Sequence, residues 1–166
     1  MRFFRAAPRV LPAQPTEAAV LADLYRRAWS DCQRLLDPRL VDPRLVGDLT
    51  PPAAEVRCWF LGGFEMFRVR HEGQLVGAVR CCFPTSTCHV DRLAVDPDAR
   101  GRGVGHLLLE HAVGRARRAG VTRVWVQVSP KLAAAHALFR SFGCRETGRL
   151  LARYWGEEIV LLELSV

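Results

Sequence analysis

The stretch that decides the fold reads Arg92-Leu93-Ala94-Val95-Asp96-Pro97-Asp98-Ala99-Arg100-Gly101-Arg102-Gly103-Val104-Gly105-His106. An apolar strand runs into a glycine-rich turn, and the turn opens an amphipathic helix. The start of a helix presents amides without intrahelical partners and the positive end of the helix dipole. Glycines let a ligand approach that backbone, and Arg100 and Arg102 add positive charge. The stretch predicts a phosphate-binding loop, although glycines at a helix start can also be plain capping.

Two common phosphate-binding patterns do not fit this loop. A dinucleotide-binding G-x-G-x-x-G that starts at Gly101 needs a glycine where the chain has His106. A P-loop needs Gly-Lys followed by Ser or Thr, and the sequence contains no such tripeptide. The phosphate ligand is therefore left open by the glycine pattern alone.

Hydrophobic periodicity predicts a single mixed α/β domain over residues 1–166, in the order β-α-α-β-β-β-α-β-α-β-β. Strands are predicted at 3–11, 64–71, 74–83, 88–95, 121–128, 144–154 and 157–165. Helices are predicted after an N-cap at Thr16, over 53–63, over 104–119, and from the cap Ser129-Pro130 to Phe142. Glu72-Gly73 is expected to form a two-residue hairpin turn, and the tandem repeat at 37–46 a turn-rich loop.

The composition is that of an ordinary globular domain. The chain has 166 residues, of which 49% are hydrophobic and 25% charged, which excludes wholesale disorder and fibrous repeats. No apolar run approaches the roughly 18 residues of a membrane helix. Prolines interrupt the N-terminal segment early, so we expect no secretory signal, no membrane partner and a cytoplasmic location.

The charge balance is basic, with 24 Lys and Arg against 17 Asp and Glu and a net charge of +7. Lys131 is the single lysine, a bias typical of a GC-rich coding sequence. A basic chain favours an anionic partner, either a phosphorylated cofactor or nucleic acid, but a solvated basic surface explains it equally. Because the arginines are dispersed and no nucleic-acid motif is present, we expect no nucleic-acid partner.

Six cysteines occur without a CxxC pair, so they are expected to be small apolar residues of a reducing compartment. Cys81, Cys82, Cys88 and His89 could be imagined as a metal site, but their spacing fits no zinc pattern. We therefore predict no metal.

Three motifs carry a resemblance to a known family. Arg100, Gly103 and Gly105 match [QR]-x-x-G-x-[GA], and residues 92–97 match R-L-x-V-x-P. Residues 135–144 are similar to A-x-x-L-Y-x-x-x-G-F. On these motifs the chain resembles the GCN5-related N-acetyltransferases (GNAT), well over 64–166 and only in outline before that.

The resemblance implies a GNAT-like fold, a mixed but mostly antiparallel twisted sheet of six or seven strands flanked by about four helices. It implies acetyl-CoA as cosubstrate and direct acetyl transfer to a primary amine. The backbone of Leu93, Ala94 and Val95 would pair with the pantetheine arm. Amides from Gly101 through Arg102, Gly103, Val104 and Gly105 to His106 would hold the pyrophosphate. The thioester would lie where the strands splay after Val95 and Val126.

The sequence departs from the family at the catalytic acid. The motif position that is often tyrosine is Phe139, which belongs to the implied cofactor site but cannot donate a proton. A frequent asparagine is Leu132, and the terminal Gly-Phe is Gly143-Cys144. Tyr154 is a candidate substitute acid, with a packed aromatic as the alternative.

The position of the family's occasional glutamate base is His89, which shares a strand face with Asp91. We predict His89 as general base, directly or through water, with Asp91 orienting it or binding the amine. The alternative is that His89 is a structural residue of the strand that makes one hydrogen bond. Trp29, Trp59 and Phe60 are candidates for the acceptor pocket or for plain core packing.

Two functions compete on these residues. The leading one is an N-acetyltransferase whose acceptor is a small-molecule or protein amine. The alternative, favoured by Phe139 and Leu132, is a CoA-binding sensor or interaction module with weak or no transferase activity. The apolar closing segment 155–166 is a candidate surface for a homodimer.

Overall fold

The structure is a computed structural model that describes residues 8–35, 50–150 and 158–166. The described strands are β1 (Val10–Pro12), β2 (Glu65–His71), β3 (Gln74–Cys82), β4 (Thr87–Val95), β5 (Arg123–Val128), β6 (Arg145–Leu150) and β7 (Ile159–Ser165). The described α-helices are α1 (Ala18–Leu35), α2 (Ala53–Leu61), α3 (Val104–Arg118) and α4 (Ala133–Ser141). Short 3-10 helices cover Pro15–Glu17 and Pro97–Ala99.

All seven strands form one sheet in the order β1-β2-β3-β4-β5-β7-β6. Neighbouring strands are antiparallel except β4 and β5, which are parallel. One apolar cluster packs α3 and Phe139 of α4 against one face, and a second packs α1 and α2 against the other face of β2, β3 and β4. The predicted element order and the predicted GNAT-like fold are therefore confirmed. That residues 1–166 form a single domain stays a prediction.

Two predicted helix starts are wrong. The chain turns helical before α1 in the 3-10 helix, whose cap is Gln14 instead of Thr16. Helix α4 begins at Ala133, not at Ser129-Pro130, because the Ser129 carbonyl accepts from the Leu132 amide and closes a separate turn. Of the predicted opening strand only Val10–Pro12 is a described strand, and the repeat at 37–46 lies outside the described residues.

The hairpin between β2 and β3 turns at the predicted residues. Glu72 and Gly73 have φ values of 50° and 80°, as the two central residues of a type I′ turn require. The turn places His71 opposite Gln74, and a bulge between Val69 and Arg70 then shifts the register by one residue, so that Phe67 lies opposite Val79 and Met66 opposite Arg80. The register sends Phe67 to the α3 side and Met66 to the α1 side of the sheet.

Gly77 of β3 sets how closely α3 approaches the sheet. A Cβ at this position would lie 2.6 Å from Val104 Cγ1, 2.9 Å from Leu108 Cδ1 and 3.4 Å from the Ala94 carbonyl oxygen. Both side chains belong to the first turns of α3, directly after the glycine-rich loop. Because Gly77 has no side chain, the first turns of α3 can pack closely on β3. This packing keeps the glycine-rich loop at the end of β4.

Gly77→Ala should lower the free energy of unfolding by about 1–3 kcal/mol, because the new methyl group overpacks a filled interface. Gly114→Ala in α3 is the matched control, since its Cβ would meet only the mobile end of Arg118, at 3.4 Å. That control should instead gain about 0.5–1 kcal/mol of helix stability. Urea unfolding followed by circular dichroism compares the two, and equal effects would contradict the packing argument.

The entry to α1 is fixed by an ion-pair network on β2. Arg68 Nε donates to Glu17 Oε2 and Arg70 Nη2 donates to Glu17 Oε1, both at 2.8 Å. Burial alone would raise the pKa of Glu17, but the hydrogen bonds from Arg68, Arg70 and the Gln14 amide outweigh it. The pKa of Glu17 is lowered from 4.5 to about 2. The network thus favours the charged carboxylate in the folded state.

Stability should consequently fall as pH falls through this window. Because the Glu17 pKa is lower in the folded than in the unfolded chain, its contribution is complete above pH 4.5 and is lost towards pH 2. Its full size is on the order of 2–3 kcal/mol. Glu17→Gln should remove that part of the pH dependence in urea unfolding at pH 5, 4 and 3. Glu110→Gln, on the exposed side of α3, should leave the pH dependence unchanged. If the free energy of unfolding of Glu17→Gln falls with pH as steeply as that of wild type, the pH dependence does not come from Glu17.

Candidate active site

The site lies at a fork in the sheet where β4 and β5 part. Their parallel register runs from Thr87 opposite Arg123 to His89 opposite Trp125 and then ends. Beyond it, β4 keeps its antiparallel partner β3, and β5 keeps β7 as far as Val128. Within the described ranges no strand occupies the other side of β4 beyond His89. The strands therefore part well before Val95, earlier on β4 than the sequence predicted.

A bulge in β4 changes the direction of side chains beside the fork. Arg92 has a φ of 51°, and the β3–β4 register shifts between Ala78 and Arg80. Such bulges bend a strand and re-aim its residues. The Arg92 guanidinium carbon consequently lies 5.5 Å from the Trp29 ring centroid on α1 and 5.1 Å from that of Trp59 on α2.

The glycine-rich loop presents a helix start that no side chain caps. Gly101 and Gly103 have φ values of 71° and 82°, which disfavour residues with a Cβ. The Leu107 amide makes the first helical bond of α3, to the Gly103 carbonyl at 3.0 Å. The amides of residues 104–106 precede that bond, and Gly103 offers no capping side chain. The loop thus has the unpaired donors that the sequence predicted for an anion.

The two loop arginines point to different surroundings. Arg100 donates from Nη2 to the Ala28 carbonyl, from Nη1 to Asp31 Oδ2 at 3.1 Å and from Nε to the Val95 carbonyl at 3.4 Å. Its guanidinium is therefore bound to α1 and to the end of β4. Arg102 is exposed and makes no ion pair in the described part of the chain. Of the two, only Arg102 leaves its charge open to a ligand.

His89 lies at the apex of the fork. Its ring stacks on Trp125 with centroids 3.8 Å apart, and 16% of its side chain is exposed. Its Nε2 is buried and lacks a hydrogen-bond partner among the described residues. Burial lowers the pKa of His89 below 6.5, although Asp91 opposes the shift. The imidazole is thus neutral at pH 7, and its buried Nε2 is an unsatisfied polar atom beside the fork.

The structure does not support Asp91 as the group that orients His89. Asp91 Oδ2 is 3.8 Å from His89 Nδ1, too far for a hydrogen bond. Both carboxylate oxygens instead accept from Arg80, at 2.7 and 2.6 Å. The structure thus shows no hydrogen bond between His89 and Asp91, because Arg80 on β3 binds both carboxylate oxygens, and an orienting role for Asp91 through the longer contact stays a prediction. An amine-binding role for Asp91 stays a prediction.

Arg80 is a site residue that sequence reasoning missed. Its guanidinium carbon is 4.4 Å from the centroid of the Trp59 ring and 4.1 Å from that of Phe64. Arg80 is 8% exposed, the one buried charged residue in the described part of the chain. The available signal was an arginine inside an otherwise apolar strand, since buried charges require partners.

Tyr25 of α1 is the second residue that the sequence did not single out. Its ring centroid is 4.8 Å from that of Trp29 and 5.7 Å from that of Trp59. Tyr25 is fully buried, and its hydroxyl has no hydrogen-bond partner in the described ranges. Burial raises its pKa far above 10. Trp59 is core and Trp29 half-buried, so the two rings pack with Tyr25 in one aromatic cluster of Tyr25, Trp29 and Trp59, and their role in an acceptor pocket stays a prediction.

The remaining predicted residues are placed as follows. Phe139 is 5% exposed and packs in the α3-side core. Its side chain has no polar atom that could serve the site. Tyr154 lies outside the described residues. Cys82 lies opposite His89, whereas Cys81 lies opposite Val90 on the other face of the sheet. The imagined cluster of cysteines with His89 is thus divided between two faces.

Comparisons with known proteins agree with this geometry. The acetyltransferase (GNAT) family profile matches residues 21–144. The [ribosomal protein bS18]-alanine N-acetyltransferase of Salmonella typhimurium is 44% identical over 54 residues, 32% of this chain and 36% of that protein. A peptidyl-lysine N-acetyltransferase, YjaB, of the same organism is 36% identical over 76 residues, 46% of this chain and 49% of that protein. The chain thus spans between a third and a half of these relatives.

A solved structure shares the whole architecture. The structure of yncA from Salmonella typhimurium, determined with its cofactor acetyl-CoA, superposes with a TM-score of 0.71 at 19% identity. The match covers 96% of this chain and 94% of that one. In the described ranges, no helix is long and apolar enough to cross a membrane. With the profile covering well over half of its length, the chain belongs to the acetyltransferase (GNAT) family.

Proposed function

We propose that this protein transfers an acetyl group from acetyl-CoA to a primary amine at the fork between β4 and β5. The observation that carries the proposal is that three features lie along β4. They are the neutral, half-buried His89 at the fork, the open backbone edge that follows it, and the uncapped start of α3, where a Cβ on Gly105 would lie 3.6 Å from Val95 Cγ2. Family membership favours this function over the alternative of a CoA sensor.

Acetyl-CoA would be held mainly by backbone groups. Leu93, Ala94 and Val95 have β3 on one side, and their outward amides and carbonyls can pair with the pantetheine arm as an added strand would. The amides from Gly101 to His106, with the helix dipole of α3, would hold the pyrophosphate. Backbone recognition needs no particular side chain, so the apolar Phe139 and Leu132 do not impair it.

The chemistry would begin with a neutral amine in contact with the thioester carbonyl. As the amine nitrogen bonds to that carbon, His89 Nε2 accepts the amine proton, directly or through one water. The carbon–sulfur bond then breaks, and the thiolate of CoA leaves and takes up a proton. Because Phe139 cannot supply that proton, Tyr154 stays the candidate acid from the sequence, with solvent as the alternative donor.

The proposed acceptor is the α-amino group of a protein or peptide. The relatives are named for amines on polypeptides, an alanine and a lysine. A base with a pKa below 6.5 is weak, so its substrate should reach the site already neutral. An α-amino group, with a pKa of about 8, meets that condition better than a lysine side chain at about 10.4. The cytoplasmic location and the homodimer remain predictions.

Acetyl-CoA at about 100 times its Kd should add about 2.7 kcal/mol of stability and raise Tm by roughly 5–10 °C. CoA should act similarly and NADH should not. Gly103→Asn and Gly103→Asp form a matched pair in this test, because both side chains tolerate the left-handed backbone and both can cap α3. The aspartate adds a negative charge where the pyrophosphate binds, so it should weaken acetyl-CoA binding about tenfold more than asparagine does.

The thermal shift decides between two readings of the loop. A shift with acetyl-CoA and CoA that is smaller in Gly103→Asp than in Gly103→Asn supports the phosphate site. If neither CoA species shifts the wild-type protein, the loop only caps a helix and the proposed function fails.

His89→Gln should lower kcat/KM about 10²-fold for a peptide with an N-terminal alanine. The wild-type rate should fall with acid in two steps, first below about pH 8 as the acceptor amine is protonated, and again below pH 6.5, since protonated His89 cannot accept a proton. The variant should keep the first acid limb and lose the second, while its Kd for acetyl-CoA stays within about twofold. The measurement is a thiol-release assay between pH 5 and 9, run beside a lysine peptide with a blocked N-terminus.

His111→Gln is the matched control. Burial also lowers the pKa of His111, but its ring packs on Phe67 on the opposite, α3 side of the sheet. It should keep the rate and both acid limbs. If the second limb, below pH 6.5, survives in His89→Gln, another group is the base.

A further inference from the structure

Arg100, the first residue of the family loop motif, is bound to the neighbouring helix. Its Nη2 donates to the Ala28 carbonyl and its Nη1 to Asp31 Oδ2 at 3.1 Å, both on α1. Its Nε donates to the Val95 carbonyl at the end of β4, at 3.4 Å. One rigid guanidinium therefore joins α1 to the strand end from which the cofactor loop starts.

A second contact joins the same two elements. Arg27 Nε on α1 donates to Asp96 Oδ2 at 2.9 Å. The other Asp96 oxygen accepts from the Asp98 amide at 3.1 Å and caps the 3-10 helix that leads into the loop. The segment 96–100 is thus attached to α1 at both of its ends.

The part of α1 held by Arg100 forms one wall of the aromatic cluster. Trp29 follows Ala28 directly, and Tyr25 lies one turn earlier; their rings contact each other, and Tyr25 also contacts Trp59. Trp59 covers Arg80, which in turn binds Asp91 beside His89. A continuous set of contacts therefore connects the cofactor loop with the aromatic cluster and His89. We call this the acceptor side of the site, because the amine would bind there under the proposed function.

We infer that Arg100 is a positioning residue that fixes α1, and with it the aromatic wall of the acceptor side, to the acetyl-CoA loop. The inference rests on the proposed function. Binding of acetyl-CoA would order segment 96–106, and Arg100 would transmit that order to α1. The pyrophosphate would be held by the loop amides and by Arg102, whose charge is exposed.

The chemistry of the contacts favours this role over phosphate binding. To reach a phosphate, Arg100 would have to release a carboxylate and two carbonyls at once. Hydrogen bonds from a charged donor are the stronger class, and the fork of Arg holds several acceptors in one geometry. The loop amides and Arg102 can bind the anion without that cost.

Arg100→Ala and Arg102→Ala separate the two roles on the same loop. Calorimetry with acetyl-CoA should give a Kd within about twofold of wild type for Arg100→Ala. It should give a Kd about three- to tenfold weaker for Arg102→Ala, which loses an ionic contact. Hydrogen exchange with saturating acetyl-CoA should show protection of both residues 96–106 and α1 in wild type and in Arg102→Ala. In Arg100→Ala, the loop should be protected and α1 should not.

Steady-state kinetics provide a readout that general destabilisation would not give. With the N-terminal alanine peptide, Arg100→Ala should raise the KM of the peptide about tenfold and leave the KM of acetyl-CoA unchanged. Arg100→Lys, which keeps the charge but not the fork, should fall between wild type and alanine. A KM increase for acetyl-CoA instead would place Arg100 among the cofactor ligands.

The outcomes distinguish this inference from the proposed function. If wild type does not bind acetyl-CoA, the proposed function fails. Hydrogen exchange in ligand-free wild type and Arg100→Ala then still tests the contact between Arg100 and α1. Arg100→Ala should then speed exchange in α1 but not in α3. Unchanged α1 exchange, or a Kd for acetyl-CoA weakened tenfold with α1 still protected, would overturn the positioning role.

Discussion

The parting of β4 from β5 after His89 and Trp125 is the constraint on which the site depends. A strand that loses its neighbour exposes a row of amides and carbonyls, and buried backbone groups of this kind require partners. In this sheet the open edge is partly buried, between the apolar layer of α3 on one face and that of α1 and α2 on the other. Residues 90–95 can therefore serve an extended ligand that enters between the strands.

A second constraint is the pairing of the buried Arg80 with Asp91, whose side chain is 24% exposed. Removing Asp91 would leave the buried charge of Arg80 without its carboxylate, and an uncompensated buried charge is costly. The rings of Trp59 and Phe64 cover the guanidinium. Because both of its oxygens accept from Arg80, Asp91 makes no hydrogen bond to His89. The stacking partner Trp125 fixes that imidazole instead.

Features set by adjacent residues could be predicted from the sequence. Glu72-Gly73 codes its own turn, and the run from Arg92 to His106 contains the strand, the glycines and the helix start in order. Helix starts that tertiary packing decides could not be read, as Thr16 and Ser129 show. The same holds for Arg100 and Asp91. The sequence shows that these two side chains are charged, but it does not show which residues they bind, because those partners are 69 and 11 residues away along the chain.

The absence of a tyrosine at Phe139 fits a reaction in which the leaving group needs little help. An alkyl thiol has a pKa of about 8.5, so a thiolate can depart near neutral pH without prior protonation. The amine differs, because after attack its nitrogen carries a positive charge until a base removes a proton. Loss of the acid should therefore cost less than loss of the base. A family member with a buried phenylalanine at this position therefore still needs a base, for which the neutral imidazole of His89 is the candidate.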